Sequence, residues 1–465
     1  MAHKHLLAKI IKPLPPVHEE ELPHIGAGLL FLDNPTKYLA SLRTKHGDTF
    51  AVDIFGFNLL MTFSPKGLEA LYQYEEHQAS FAMATFDMIG FKTPIETLID
   101  TDSKLFYHLL MHKKMPGYVN TIATIVDQVT DDWSTHKELD IFDAVRTMEQ
   151  RIGYALWIAE EAADQQYWPA LKECFDALDQ EKSFVDPALT LETIKTGKSK
   201  ERAAVNKLYS LIPDIINAHD SNANKIFSGV DFFREHFRKN DIAEDKLEKK
   251  VIHNVMNANQ GFLSNLYAGI SWVIVNLLQH PNAMQKVQQE IEQQQAEYGE
   301  QFYQNIEALN AMTYFEQVTM ESIRLAQRSL TLRKVMAPLE FNDGKTSYQV
   351  EQGVYLATML SVTNTQSPTL SEFNPDNYDQ NRLKADVTMY GKESVSTFGH
   401  GRHSCPAQRF SHHMSKIVLI KLLARFDLSA KFSKPPQPAD KQMGGVSRPQ
   451  EATFMTLKDK LARND

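Results

Sequence analysis

Cysteine is nearly absent from this chain: Cys174 and Cys405 are the only two in 465 residues. Two thiols cannot build a structural zinc site or hold an iron–sulfur cluster, and they do not resemble the disulfide framework of a secreted domain. A reducing compartment is therefore expected. Dense basic clusters are missing too. The 49 basic residues are outnumbered by 58 acidic ones, for a net charge of −9, which argues against nucleic acid as a partner. The N-terminal MAHKHLLAKIIKPLPPVHEEE is broken by Lys9, Lys12 and prolines, and reads as neither a spanning helix nor a signal peptide. The longest apolar stretch, residues 261–278, is nearly long enough to cross a bilayer. It carries Ser264, Asn265, Ser271 and Asn276, which favour a buried core helix and no spanning segment. Repeats and low-complexity tracts are absent. What is present is ordinary globular composition, 43% hydrophobic and 23% charged, in a chain long enough for a large core.

Near the start, TFAVDI and NLLMTF flank Phe55-Gly56-Phe57 and predict a β-hairpin or two sheet strands. From about residue 65 to residue 326 the apolar positions recur at helical spacing, with breaks expected at Pro94, Pro116-Gly117, Pro187 and Pro213. TSYQV and GVYLATMLSV read as strands, and TQSPTLSEFNPDNYDQNRL as irregular. Helical spacing resumes after Pro406, with Phe410, Met414, Ile417, Val418, Leu422 and Phe426 on one broad face.

Cys405 lies in STFGHGRHSCPAQRFSHHM. Proline suits the first position of a helix, so Cys405-Pro406 predicts a cysteine at or next to the N-cap. There the helix dipole and free N–H groups would lower the thiol pKa and stabilise a thiolate. Gly399 and Gly401 allow a tight loop that a flat ligand can approach, and His403 adds a donor two residues away. Three readings stay open on these residues alone: an inert buried cysteine, a catalytic thiol with an unidentified base among 17 histidines, and a metal-binding thiolate.

The run Phe398-Gly399-His400-Gly401-Arg402-His403-Ser404-Cys405-Pro406-Ala407 resembles the haem-ligating loop of the cytochrome P450 family, with Ala407 where that family usually has glycine. Glu321 and Arg324, three apart on one helix face, resemble its Glu-x-x-Arg element. The family's third partner falls in Phe373-Asn374-Pro375-Asp376-Asn377-Tyr378, with Asn377 in place of the usual arginine and Arg382 as a candidate substitute. Within the family, the chain is most similar to the branch of sterol 14α-demethylases, cholesterol 7α-hydroxylase and prostacyclin synthase, in a form without a membrane anchor.

The resemblance implies a mainly α fold with small β-sheets, one domain over residues 1–465 with a β-rich lobe mainly at 40–65 and 335–365. Haem b (iron protoporphyrin IX) would lie between a long central helix and the Cys-loop helix. It further implies Cys405 as axial iron ligand, Phe398 packed near the thiolate, Gly401 in the haem loop, and His403 and Arg333 as propionate donors, with Lys334 a rival to Arg333. Phe86, Met88, Phe91, Gly261 within residues 258–265, and Leu332 within residues 330–332 take substrate-pocket positions, although ordinary core packing explains each aromatic equally well. Alignment on Trp272 and His280-Pro281 puts Ser264 at the acid position and Asn265 at the alcohol position of the family's proton relay.

The implied activity is insertion of an oxygen atom from O2 into a lipophilic sterol, terpenoid or fatty acid. Electrons would come from a separate ferredoxin or flavodoxin-type donor, steered by a patch of Arg402, Arg409, His412, His413 and Lys416. A haem-thiolate isomerase, dehydratase or peroxygenase that starts from a peroxide is the second class, and a non-catalytic haem binder or sensor the third. A cytoplasmic monomer is expected, with peripheral membrane contact as a variant.

Overall fold

In the computed structural model the described residues are 2–18, 26–89, 103–111, 114–179, 193–379 and 392–461; Phe91, Pro94, Pro187, Arg382 and the Met88 side chain lie outside them. The first alternating run forms the hairpin that its pattern predicts. Strands Thr49–Ile54 and Phe57–Thr62 pair antiparallel, with Ile54 opposite Phe57. Both turn residues, Phe55 and Gly56, have positive φ (55° and 83°), the geometry whose twist matches that of the flanking strands.

The hairpin lies within a six-stranded sheet ordered Val17–His18, Thr49–Ile54, Phe57–Thr62, Tyr355–Met359, Leu330–Val335, Ala79–Ser80. Tyr355–Met359 runs parallel to Phe57–Thr62 and antiparallel to Leu330–Val335, setting Leu356 between Leu60 and Arg333. Residues 330–332, placed at pocket positions by the resemblance, are thus the start of a strand. A small sheet joins Ile11–Lys12, Ser347–Val350 and Leu339–Asn342. Another, not anticipated from sequence, joins Phe426–Ala430, Phe454–Asp459 and Glu138–Asp140.

The rest is helical. Helix Leu266–Gln279 is buried along nearly its whole length. It packs on Ile141–Trp157, where Phe142 meets Trp272 edge-on at 5.3 Å, and on Thr313–Ala326, where Asn276 Nδ2 donates to Ser322 Oγ at 3.1 Å. The long apolar segment is therefore a core helix, but it is not continuous. Helix Glu244–Leu263 ends at Ser264, and Asn265 leaves helical geometry (φ −136°, ψ −31°) before Leu266 restarts it. Proline-based breaks succeed at Pro116, which lies in the first turn of Met115–Trp133. They fail at Pro213, which lies inside Ser199–Ser221 because buried Leu208, Ile212, Ile215 and Ile216 continue across it.

Candidate functional site

The cysteine loop departs from expectation at its helix. Pro406 and Ala407 form a turn, and the helix runs Gln408–Arg425 with Ala407 as N-cap, so Cys405 precedes the cap by two residues. The backbone N–H groups of Ala407 and Gln408 still bond to the sulfur, yet burial outweighs them and pushes the thiol pKa up rather than down. The expected lowering by the helix end is thus corrected: a thiolate here needs a positive partner. Cys405 N–H donates to the Phe398 carbonyl at 2.6 Å, closing the loop. Gly399 is required by it, since φ is +73° and a Cβ would lie 2.3 Å from the His403 carbonyl oxygen.

Glu321 and Arg324 are fully buried. Arg324 Nε and Nη2 each donate to a Glu321 carboxylate oxygen at 2.6 Å, and Nη1 donates to the carbonyls of Asn364 and, at 2.7 Å, Leu370. Asn377 completes the arrangement in arginine's absence: its Nδ2 donates to Glu321 Oε1 at 3.0 Å, beside the Asn374 N–H at 2.8 Å. Asn364, which sequence reasoning did not single out, connects this pair to the cysteine loop. Its Nδ2 donates to the Arg324 and Ser396 carbonyls and its Oδ1 accepts from Ser396 N–H at 2.8 Å. The signal that could have found it is weak, one asparagine shortly after an apolar run, where it caps the short helix Leu360–Thr363.

Arg333 and Lys334, adjacent on one strand, part company. Lys334 pairs with Asp87 at 2.7 Å, and Asp87 also accepts from Tyr355 OH at 2.5 Å. Arg333 is 2% exposed. Its Nη1 donates to the Leu332 carbonyl at 2.7 Å, it stacks over Phe81 and Tyr72, and its Nε has no hydrogen-bond partner. Among the described residues no carboxylate stands within ion-pair distance of it, and burial pushes its pKa down to about 10. His403 lies close enough for its pKa to be lowered, first by burial and then by the Arg333 charge. Its Nε2–H donates to the Tyr74 carbonyl at 2.9 Å, and Nδ1 lies 3.7 Å from Glu76. A buried guanidinium without a counter-ion beside an imidazole is a site for an anion.

Of the pocket positions, Leu332 is buried in one apolar cluster with Ala84 of helix Phe81–Ile89, and half-buried Phe86 belongs to that helix. Gly261 lies in the last turn of Glu244–Leu263 facing open space. Its neighbour Phe262 touches Phe410 of the cysteine helix at 5.8 Å, so the central and cysteine helices meet here. Ser264 Oγ accepts from Asn265 Nδ2 at 3.0 Å, and Asn265 Oδ1 accepts from Val446 N–H at 2.8 Å.

The five-residue basic patch does not form. His412, His413 and Lys416 are buried, because helix Ile306–Ala311 and Glu316 cover that face. Lys416 Nζ donates to the Leu309 carbonyl at 2.6 Å and His413 Nε2 bonds Asn310 Oδ1 at 2.8 Å. Arg402 and Arg409 remain exposed, and Arg402 pairs with Glu75 at 2.9 Å. His412 stands against Phe398 with neither ring nitrogen hydrogen-bonded, Glu316 being 3.8 Å away. Burial holds its pKa down to about 4, with Lys416 lowering and Glu316 raising it. The unfolded chain, with an ordinary imidazole near 6.5, takes this proton first. Stability is therefore expected to fall by about 3 kcal/mol as pH drops from about 6.5 towards 4. Unfolding free energies measured across that range should decline less in His412→Phe; parallel curves for variant and wild type would contradict this.

Comparison with known proteins agrees with this geometry. The family profile described as Cytochrome P450 matches residues 15–457. Cytochrome P450 7B1 of Mus musculus is 22% identical, over 97% of this chain and 92% of its own length. A sterol 14alpha-demethylase of Mycolicibacterium vanbaalenii is 23% identical over 92% and 93%, and prostacyclin synthase of Homo sapiens 20% identical over 89% and 87%. The solved structure of retinoic acid bound cyanobacterial CYP120A1 superposes with a TM-score of 0.73 at 18% identity, covering 96% of this chain and 99% of that one.

Proposed function

The chain belongs to the cytochrome P450 family and is a haem-iron monooxygenase; from that premise we propose that it oxidises a sterol- or terpenoid-sized lipophile at haem b bound through Cys405. The observation that carries the haem assignment is buried Arg333, whose unpartnered Nε and lack of a counter-ion among the described residues fit a propionate; neighbouring His403 gives its one neutral-state N–H to the Tyr74 carbonyl and would be a second donor only as the imidazolium. The rest of the donor set agrees: one thiol with two N–H groups aimed at its sulfur, and a loop whose Gly399 leaves no room for a side chain.

When bound, a thiolate-ligated haem supplies O2 activation, the sulfur's electron density favouring O–O cleavage. The chain's own residues do the rest. Ala407 and Gln408 N–H groups orient the sulfur, Arg333 holds a carboxylate, and Leu332 and Phe86 offer apolar surface that excludes water from substrate. Asn265 and Ser264 hold a hydrogen bond or an ordered water where the family's acid and alcohol usually stand, since an amide has no titratable proton at neutral pH. The match over residues 15–457 supports one domain. The sparse cysteines suit a reducing, cytoplasmic compartment, and a separate ferredoxin or flavodoxin-type donor would meet Arg402 and Arg409 rather than a five-residue patch.

Lipid classes titrated into the purified, haem-loaded protein should shift the Soret band where one of them binds, and the ligand so found should give product with a reductase system. Product from a peroxide alone, and none with competent electron delivery, would replace this reading with the isomerase or peroxygenase class.

A further inference from the structure

Residues 442–448 form a strap between two elements of the site. On one side it bonds the chain just after the Glu321–Arg324 helix. Arg328 N–H donates to the Gly445 carbonyl at 2.9 Å, Gly444 N–H to the Arg328 carbonyl at 3.0 Å, and Ser447 N–H to the Ala326 carbonyl at 2.9 Å. Gly445 N–H also donates to Ser329 Oγ at 2.8 Å. On the other side it meets side chains of the central helix. Trp272 Nε1 donates to the Ser447 carbonyl and Arg448 Nε to Tyr267 OH, both at 2.6 Å. At the helix break, Asn265 Oδ1 accepts from Val446 N–H at 2.8 Å.

This last contact is close-fitted from both partners. Val446 is buried, so its N–H needs an acceptor, and a backbone N–H can only face the amide oxygen, which fixes which way round the Asn265 amide sits. A Cβ on Gly445 would lie 1.7 Å from Asn265 Oδ1, and Gly445 has φ +64°, so only glycine lets the strap approach this closely. With its oxygen turned to Val446 and one N–H given to Ser264 Oγ, exposed Asn265 has one N–H left to donate and one lone pair on that oxygen.

We propose that Asn265 is a positioning residue that latches the Gly444–Val446 strap to the break in the central helix and, held that way, presents its remaining N–H in a fixed orientation beside it. The proposal deepens the monooxygenase reading and rests on it only in taking the space beside Asn265 as the substrate side.

Amide hydrogen exchange on the full-length, haem-loaded protein reads the latch directly. Asn265→Ala should speed exchange at Val446 by about tenfold or more, because the buried N–H loses its partner. Asn265→Asp keeps an oxygen at that place and should preserve the protection. Gly445→Ala should also speed Val446 exchange by pushing the amide away, and in the Asn265→Ala background it should add little, the mark of two changes acting on one contact. Val446 exchange unchanged in Asn265→Ala, or effects of the two substitutions that simply add, would overturn the latch. If Asn265→Ala does not accumulate as folded protein, Asn265→Asp against Gly445→Ala decides: equal loss of protection in both rejects the proposal. Exchange needs no turnover, so failure of electron-dependent catalysis would sink the monooxygenase reading and leave this measurement standing.

Discussion

Replacing Cys405 with serine is expected to abolish the thiolate-type Soret band of the reduced carbon-monoxide complex, whereas Cys174→Ser should leave that band unchanged. Cys174 is 2% exposed inside helix Trp168–Leu178, and burial pushes its thiol up to about 11, which keeps it protonated and inert at neutral pH. Cys405 has the two N–H groups of Ala407 and Gln408 at its sulfur. A serine hydroxyl can accept the same two bonds, so the loop should fold, but it cannot supply a soft anionic ligand. Because burial raises the Cys405 thiol pKa, the anion forms only when a cation takes the place of the proton. Loading with haem should accordingly release a proton and weaken as pH falls. A thiolate band retained in Cys405→Ser, or lost in Cys174→Ser, would refute the ligand assignment.

The hairpin at residues 49–62 was legible because alternation and a two-residue turn are local signals. The Glu321–Arg324 pair was legible only through family resemblance: by spacing alone it is an ordinary solvated i,i+3 pair, and nothing local predicts that both side chains are fully buried. His412, His413 and Lys416 misled for the opposite reason. Polar residues on a helix read as an exposed face, yet their partners, Leu309, Asn310 and Glu316, come from helices about 100 residues earlier. The turn at Pro406 was hidden likewise, since proline fits a turn as well as a first helical position. The sheet of Phe426–Ala430, Phe454–Asp459 and Glu138–Asp140 is assembled from short segments distant in sequence, and non-local pairing of that kind leaves little trace in periodicity. The Asn265–Gly445 contact belongs to the same class: each residue is unremarkable until the other is placed beside it.

Glu321→Ala is expected to be the most destabilising single substitution at this site, costing about 3–5 kcal/mol, the usual penalty for stranding one partner of a buried ion pair. Four donors converge on that carboxylate: Arg324 Nε and Nη2, Asn374 N–H and Asn377 Nδ2. Alanine takes that acceptor from all four and strips the guanidinium of its counter-charge, leaving Nη2 only the Glu372 carbonyl at 3.4 Å. Set against a total stability of about 5–15 kcal/mol, the loss should show as a large drop in the urea midpoint and in soluble yield. Haem content should fall with it, because Arg324 fixes the Asn364 carbonyl and Asn364 in turn holds both backbone groups of Ser396, two residues before Phe398. Asn377→Ala removes one neutral donor and exposes no charge, so it should cost only about 1 kcal/mol and spare haem binding. Glu321→Gln keeps an acceptor but loses the charge, and should fall between the two. Should Glu321→Ala yield no folded protein, Asn364→Ala tests the connection separately: it leaves the ion pair intact, and its haem content should fall further than its urea midpoint. Equal stability of Glu321→Ala and Asn377→Ala, or an Asn364→Ala variant with full haem occupancy, would mean that the pair does not support the cysteine loop in this way.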